Sequence, residues 1–293
     1  MFLIAKKTLN ELNHFMADQV GVEDHQKDYI FYPSNNSNLE VLTSEQIHHY
    51  NEKGFITNLK GFSKDKTDAN RNYFDSLLSQ IKSNPEKINS DFGPVQYSLN
   101  CVHTKLKGLW EIMYSDELLS AVRDIIGPDV IAWATHYFCK LPGDNKSVSW
   151  HQDASYWGLS NAKTVTVWLA IDDTDDENGS MQFLPKSHLV GHIPWKETTE
   201  DAVLNQEIKD ITRFDPPLSN NLKAGEFSLH SSLLVHGSPK NNSGRRRCGL
   251  TIRYAPPDVI PLDPMYTKMS YFVCGNIESE HWVDNIYPTS DIL

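Results

Sequence analysis

The chain is short of the features that cross-link a protein or attach it to a surface. Four cysteines (Cys101, Cys139, Cys248, Cys274) are scattered through 293 residues with no C-x-x-C pair, so neither a disulfide framework nor a thiolate zinc site is expected. Cys139 and Cys248 lie in apolar, strand-like runs, where cysteine serves as a small hydrophobe. No apolar run approaches the roughly 20 residues of a membrane span. The opening MFLIAKKTLNELNHF reaches Lys6 and Lys7 too soon to form a signal-peptide core. These features predict a cytoplasmic protein without a membrane partner. Positive charge is also scarce: 27 Lys and Arg face 38 Asp and Glu, a net charge of −11 spread along the chain, which argues against nucleic acid as a partner.

Material for a core is plentiful, with 39% hydrophobic residues, 11% aromatics and seven Trp, so the composition of disorder is missing. The length suits one large β domain with helical additions. Residues 1–41 read as an extension, with a helix expected over Thr8 to Gln19 and turn formers from Tyr29 to Asn38. Residues 42–293 read as a single domain. It opens with Thr43 as a helix N-cap, Gln46 completing a capping box and Gly54 as the stop, followed by a short alternating strand. Helical periodicity runs from Asp68 to Ile88 and from Ser115 to Ile126, the latter capped by Ser115 and ended by Gly127-Pro128.

From Val130 the pattern changes to short β-branched and aromatic runs between Gly, Asn, Asp and Pro clusters: VIAWATHYFCKL, KTVTVWLAID, SMQFL, GEFSLHSSLLVH and RCGLTIRYA. That is the pattern of an antiparallel sandwich or barrel with flanking helices. In Lys163 to Asp172, alternation places Val165, Val167, Leu169 and Ile171 on one face and Thr164, Thr166, Trp168 and Ala170 on the other. The aliphatic face packs on another layer, and the Thr/Trp face is the candidate cavity lining. The polar insert over 190–222 and the stretch 70–100 are candidate lid segments.

WHQDASYW supplies His151 and Asp153 at i and i+2, which an extended segment projects to one side. By itself an H-x-D triplet is a common accident. A further histidine, His236, closes the apolar strand of LLVHGS, and H-x-D…H matches the two-His, one-carboxylate triad of non-haem iron, which leaves positions open for a keto acid and oxygen. Arg247 follows eleven residues later; its guanidinium fork suits a distal carboxylate. Alternation puts Arg247, Gly249, Thr251 and Arg253 on one face, where Gly249 leaves room for a small molecule, while Arg245 and Arg246 read as a solvated turn.

The ordered set F-C-K-L-P, W-H-Q-D, V-W-L-A, N-G-S…L-P-K-S-H, A-G-E, H-G-S, N-x-S and R-x-G-L-T-I-R-Y, from about Leu42 to Pro257, resembles the phytanoyl-CoA dioxygenase family. The resemblance implies a double-stranded β-helix, a jelly-roll barrel holding Fe(II), with 2-oxoglutarate and O2 as cosubstrates. It makes His151, Asp153 and His236 the metal ligands and Arg247 the cosubstrate's carboxylate partner. Ser238 and Trp168 would line the same pocket, and His136 would sit near the cosubstrate. Related halogenases carry a small residue where this chain has Asp153, so hydroxylation with release of succinate and CO2 is the expected outcome; desaturation, cyclisation and epimerisation share the same ligand set. His188 and His192 are not taken as ligands, because the triad is complete without them.

For the substrate, Asn100, His103, Phe138, Tyr156, Trp157 and Arg253 are candidates for a mixed aromatic and polar pocket, which favours a small polar molecule. The competing readings are a non-catalytic jelly-roll binding protein, which would be expected to have lost a ligand or the arginine, and a metal hydrolase, which gives Arg247 no task.

Overall fold

The alternating segments resolve into two facing antiparallel sheets in the computed structural model, which describes residues 27–83, 98–198 and 202–291. The helix expected over Thr8 to Gln19 lies outside them. Strands are numbered in chain order. The larger sheet runs β1 (Phe55–Lys60), β10 (Glu226–Ser231), β5 (Val165–Ala170), β12 (Arg247–Ala255), β3 (Val130–Lys140) and β13 (Tyr271–Cys274), with β2 (Ser98–Asn100) also paired to β3. The smaller one runs β4 (Val148–His151), β11 (His236–Ser238), β6 (Gln182–Phe183) and β9 (Leu218–Ser219). This is the double-stranded β-helix. No helix among the described residues is long and apolar enough to cross a membrane.

Period-two alternation divides the larger sheet as the sequence predicts. Val165, Val167 and Leu169 join Leu250, Ile252 and Tyr254 in the main apolar cluster on its outer face, where helices α1 (Ser44–Lys53), α2 (Lys64–Ser83), α3 (Lys107–Met113) and α4 (Asp116–Ile126) add their buried stripes. Each such large side chain stabilises the fold by about 1.5–3 kcal/mol. The Thr43/Gln46 capping box and the left-handed Gly54 are both present on α1. Ser115 precedes α4 but does not cap it; its hydroxyl donates backwards to the Ile112 carbonyl. The segment from residue 27 is tied down by buried Asp124, whose carboxylate accepts from the backbone N–H groups of Glu40, Val41 and Leu42.

The two candidate lid segments differ in how they are packed. Helix α2 buries Phe74, Leu77, Leu78 and Ile81 against the outer face, with Phe74 stacked on Tyr137, so this part of 70–100 is a core element and no lid. The insert over 190–222 has structure of its own: a hairpin of β7 (Lys196–Glu197) and β8 (Gln206–Glu207), and the edge strand β9. Its Gln206 N–H donates to the Tyr156 hydroxyl and its Ile208 N–H to the Trp150 carbonyl.

The inner face is organised in rows across the strands. His230, Thr166, Arg253 and Ala134 are successive neighbours, as are Ser228, Trp168, Thr251, His136 and Asn100. The register slips between Arg253 and Tyr254, leaving Trp133 unpaired in a bulge beside Ala134. The room at Gly249 is taken by protein: a Cβ there would lie 2.1 Å from Cζ2 of Trp168, so the glycine lets the indole lie flat on β12. Gly249→Ala should therefore destabilise the fold by roughly 1–3 kcal/mol, measurable by urea unfolding, and Gly249→Ala combined with Trp168→Phe should recover part of that loss.

Candidate metal and cosubstrate site

The pairing of β4 with β11 sets His151 directly opposite His236. Gly237 makes this approach possible, since a Cβ on it would come 2.8 Å from the Val148 carbonyl oxygen. Asp153 follows on a short 3-10 turn, and ligand atoms of the three side chains lie within 4.8 Å of one another. Nδ1 of His151 is 2.7 Å from the Ser149 carbonyl and Nδ1 of His236 is 2.9 Å from that of Leu234. A carbonyl can only accept, so each ring carries a proton on Nδ1 and turns Nε2 inward, the arrangement that orients metal-binding imidazoles. Both Nε2 atoms face the same oxygen of Asp153, Oδ1, at 3.7 Å and 3.9 Å. Two imidazoles and one carboxylate on an open cavity fit Fe(II) better than a closed structural zinc site.

The electrostatics agree with that use. Burial opposes ionisation of Asp153, but the rings of His151, His230 and His236 and the charge of Arg253 outweigh it and hold the carboxyl well below its usual range. Burial, reinforced by the neighbouring His151, holds His236 well below the usual histidine value, which keeps its lone pair available.

His230 escaped the sequence analysis. It is buried on β10, and its Nε2 lies 3.7 Å from Oδ2 of Asp153, the oxygen turned away from the triad, which Thr166 Oγ1 also approaches at 3.5 Å. Alternation in GEFSLHS places His230 opposite Phe227 and Leu229, which was the available signal.

The triad opens on a cavity that Tyr156, Trp157, Met181 and Leu204 also line. At its other end, buried Arg247 donates from Nε to the Gly179 carbonyl, from Nη1 to the Phe138 carbonyl and from Nη2 to Ser238 Oγ. Ser238 and Trp168 both line the cavity, with Arg247 over the Trp168 ring at 5.8 Å. Lys140 was also missed: it is buried opposite Arg247 and donates to Ser238 Oγ at 2.8 Å. Burial and then the charge of Arg247 push its ammonium down to about 6. Arg245 is exposed on Asp175 and Glu177 as expected, whereas Arg246 is no solvated turn residue: it makes a two-pronged, part-buried contact with Asp172.

Of the substrate candidates, Phe138, Tyr156, Trp157 and Arg253 line the cavity. His103 does not; its ring nitrogens engage Thr135 Oγ1 and the Met269 carbonyl. Asn100 is buried in β2 beside His136, and His136 stacks on Phe138 with ring centres 3.8 Å apart, one layer behind the lining. His188 reaches the Asn51 carbonyl and His192 stacks on Tyr29, both away from the triad.

The sequence model of the phytanoyl-CoA dioxygenase family (PhyH) matches residues 50–249. The chain belongs to the phytanoyl-CoA dioxygenase family. It is 26% identical over 182 residues to a probable alpha-ketoglutarate-dependent hypophosphite dioxygenase of Stutzerimonas stutzeri, covering 60% of this chain and 63% of that protein, and so spans a little under two thirds of that relative. It is 23% identical over 258 residues to human peroxisomal phytanoyl-CoA dioxygenase, covering 82% and 75%. Among solved structures it is similar to the non-heme monooxygenase ThoJ, with TM-score 0.68, 24% identity and 83% and 88% coverage. It is also similar to EctD from S. alaskensis with 2-oxoglutarate and 5-hydroxyectoine, with TM-score 0.67, 16% identity and 89% and 95% coverage. At these identities the likeness is one of fold. The cofactors of the family, Fe(II) and 2-oxoglutarate, suit the donor set and cavity.

Substituting His151, Asp153 or His236 by Ala should weaken Co(II) binding, read from its visible bands, by at least about 10-fold, the lower end of what even outer partners of a metal site contribute. The urea midpoint of the metal-free protein should change little, because the main apolar cluster lies on the outer face of the larger sheet.

Proposed function

We propose that the protein is an Fe(II)- and 2-oxoglutarate-dependent oxygenase that hydroxylates a small polar molecule, with release of succinate and CO2. The observation that carries this reading is one cavity with the His-Asp-His cluster at one end and, at the other, a buried arginine whose Ser238 partner also accepts from Lys140. When bound, Fe(II) with 2-oxoglutarate would supply the oxidising power needed at an unactivated C–H bond. The residues of the chain do the rest. His151, Asp153 and His236 would hold the metal, while His230 and Thr166 flank the second Asp153 oxygen. The fixed fork of Arg247 receives the distal carboxylate and aims the keto-acid end toward the triad. Trp157, Met181 and Leu204 present apolar walls that exclude water from the reacting centre. Because Asp153 fills the position a halide would need, hydroxylation is favoured over halogenation. The family relatives named for hypophosphite, L-proline and ectoine support a small polar substrate.

Arg247→Ala should weaken 2-oxoglutarate by roughly 2–5 kcal/mol, the cost of stranding a buried charge. Arg245→Ala should leave it unchanged; a larger effect from Arg245 would contradict this reading. Lys140 generates a pH signature. An arriving carboxylate raises its pKa from about 6, so 2-oxoglutarate binding takes up a proton above that pH and takes up none there once the medium is more acid. Calorimetry at pH 7.5 in buffers of different ionisation enthalpy should show this uptake in the wild type and its loss in Lys140→Met.

A further inference from the structure

Strand β12 carries two buried arginines on its inner face, six residues apart, and their surroundings differ sharply. Arg247 meets three oxygen acceptors. Arg253 is 5% exposed, yet among the described residues its guanidinium makes no hydrogen bond and no direct ion pair, its charge reaching Asp153 only at longer range, and its Nε is buried without an acceptor. Its neighbours are rings: the guanidinium carbon lies 5.0 Å over Trp157 and 5.9 Å over Trp133. The two indoles meet edge to face at 4.9 Å, and Trp133 holds its place through the bulge in β3. Bulges re-aim side chains beside active sites in this way.

A buried cation without a partner costs several kcal/mol, and stacking on indole recovers only part of that. The indoles offer the guanidinium no oxygen acceptor, and its planar fork is the group that receives a carboxylate or phosphonate through two parallel hydrogen bonds. Arg253 lines the same cavity as the triad, and Asp153, committed to the metal, is the sole carboxylate among the lining residues. Arg247 and Arg253 stand about 20 Å apart along the strand at roughly 3.3 Å per residue, so the arginine that clamps the cosubstrate's distal carboxylate leaves the second one for another ligand.

We infer that the substrate carries an oxyanion, a carboxylate or a phosphonate, and that Arg253, clamped by Trp133 and Trp157, receives it beside the metal. This rests on the function proposed above and narrows its substrate class. The unpartnered guanidinium is then a receptor whose cost to the ligand-free fold is offset on binding.

The test is thermal unfolding of the full chain with Ni(II), which does not turn over, and saturating 2-oxoglutarate, titrated with propionate, methylphosphonate or uncharged propionamide. The expected result is a saturable rise in Tm with propionate or methylphosphonate, whichever anion fits, and none with propionamide. Arg253→Met should raise the apparent Kd for that anion at least about thirtyfold, Arg253→Lys should raise it less, and ligand-free Arg253→Met should melt no lower than wild type. If Arg253→Met fails to fold, Arg253→Lys carries the comparison. Neither anion shifting the wild type, or an equal shift in the variant, overturns the inference. So does loss of the 2-oxoglutarate shift in Arg253→Met, which would assign this arginine to the cosubstrate. Absence of any Ni(II) and 2-oxoglutarate shift in wild type would instead bring down the proposed function itself.

Discussion

The site depends on one backbone constraint, the antiparallel pairing that puts His236 across from His151. Strand alternation makes this all-or-none, because a slip of one residue would turn one imidazole to the opposite face. Two features hold the register. Gly237 admits the β4 backbone, and each ring is tied through Nδ1 to the carbonyl two residues before it. With the rings fixed, the direction of Asp153 follows: Oδ1 turns to both Nε2 atoms, and Oδ2 is left to His230 and Thr166. The smaller sheet therefore provides the ligands, and the larger sheet provides what orients them and what receives the organic molecules.

The larger sheet divides its work between faces. Its outer face is apolar and buried under helices. Its inner face carries cations at two levels, Arg247 with Lys140 at one end and Arg253 at the other. Placing cations there is costly, and the structure lowers that cost differently at each level. Arg247 is surrounded by carbonyl and hydroxyl oxygens, while burial and the neighbouring arginine weaken the hold of Lys140 on its proton. Arg253 has only indole faces. Protein oxygens thus fix the orientation of Arg247 for an incoming carboxylate, while Arg253 has no oxygen acceptor of its own among the described residues.

Much of this was legible in the sequence because it rests on local periodicity. Alternation in Lys163 to Asp172 separated the two faces of β5, and H-x-D…H with Arg247 picked out residues that the fold gathers on one cavity. What was hidden depends on contacts between distant segments. Gly249 read as space for a ligand, yet the indole from the neighbouring strand occupies it. Trp133 could not be placed by strict alternation, because a bulge breaks the period at that residue. His103 had the composition of a pocket residue, but Thr135 and Met269 satisfy both of its nitrogens. The helical period at 68–88 was visible, but not that its apolar stripe covers the outer face of the sheet and leaves the cavity alone.

On this reading the triad and Arg247 together hold one metal ion and one keto acid. Anaerobic titration of the metal-free protein with Fe(II) and 2-oxoglutarate, followed by visible absorption, tests it most directly. A weak charge-transfer band should grow to a one-to-one endpoint only when both are present. Tight Fe(II) binding that yields no band at any concentration of 2-oxoglutarate would contradict it.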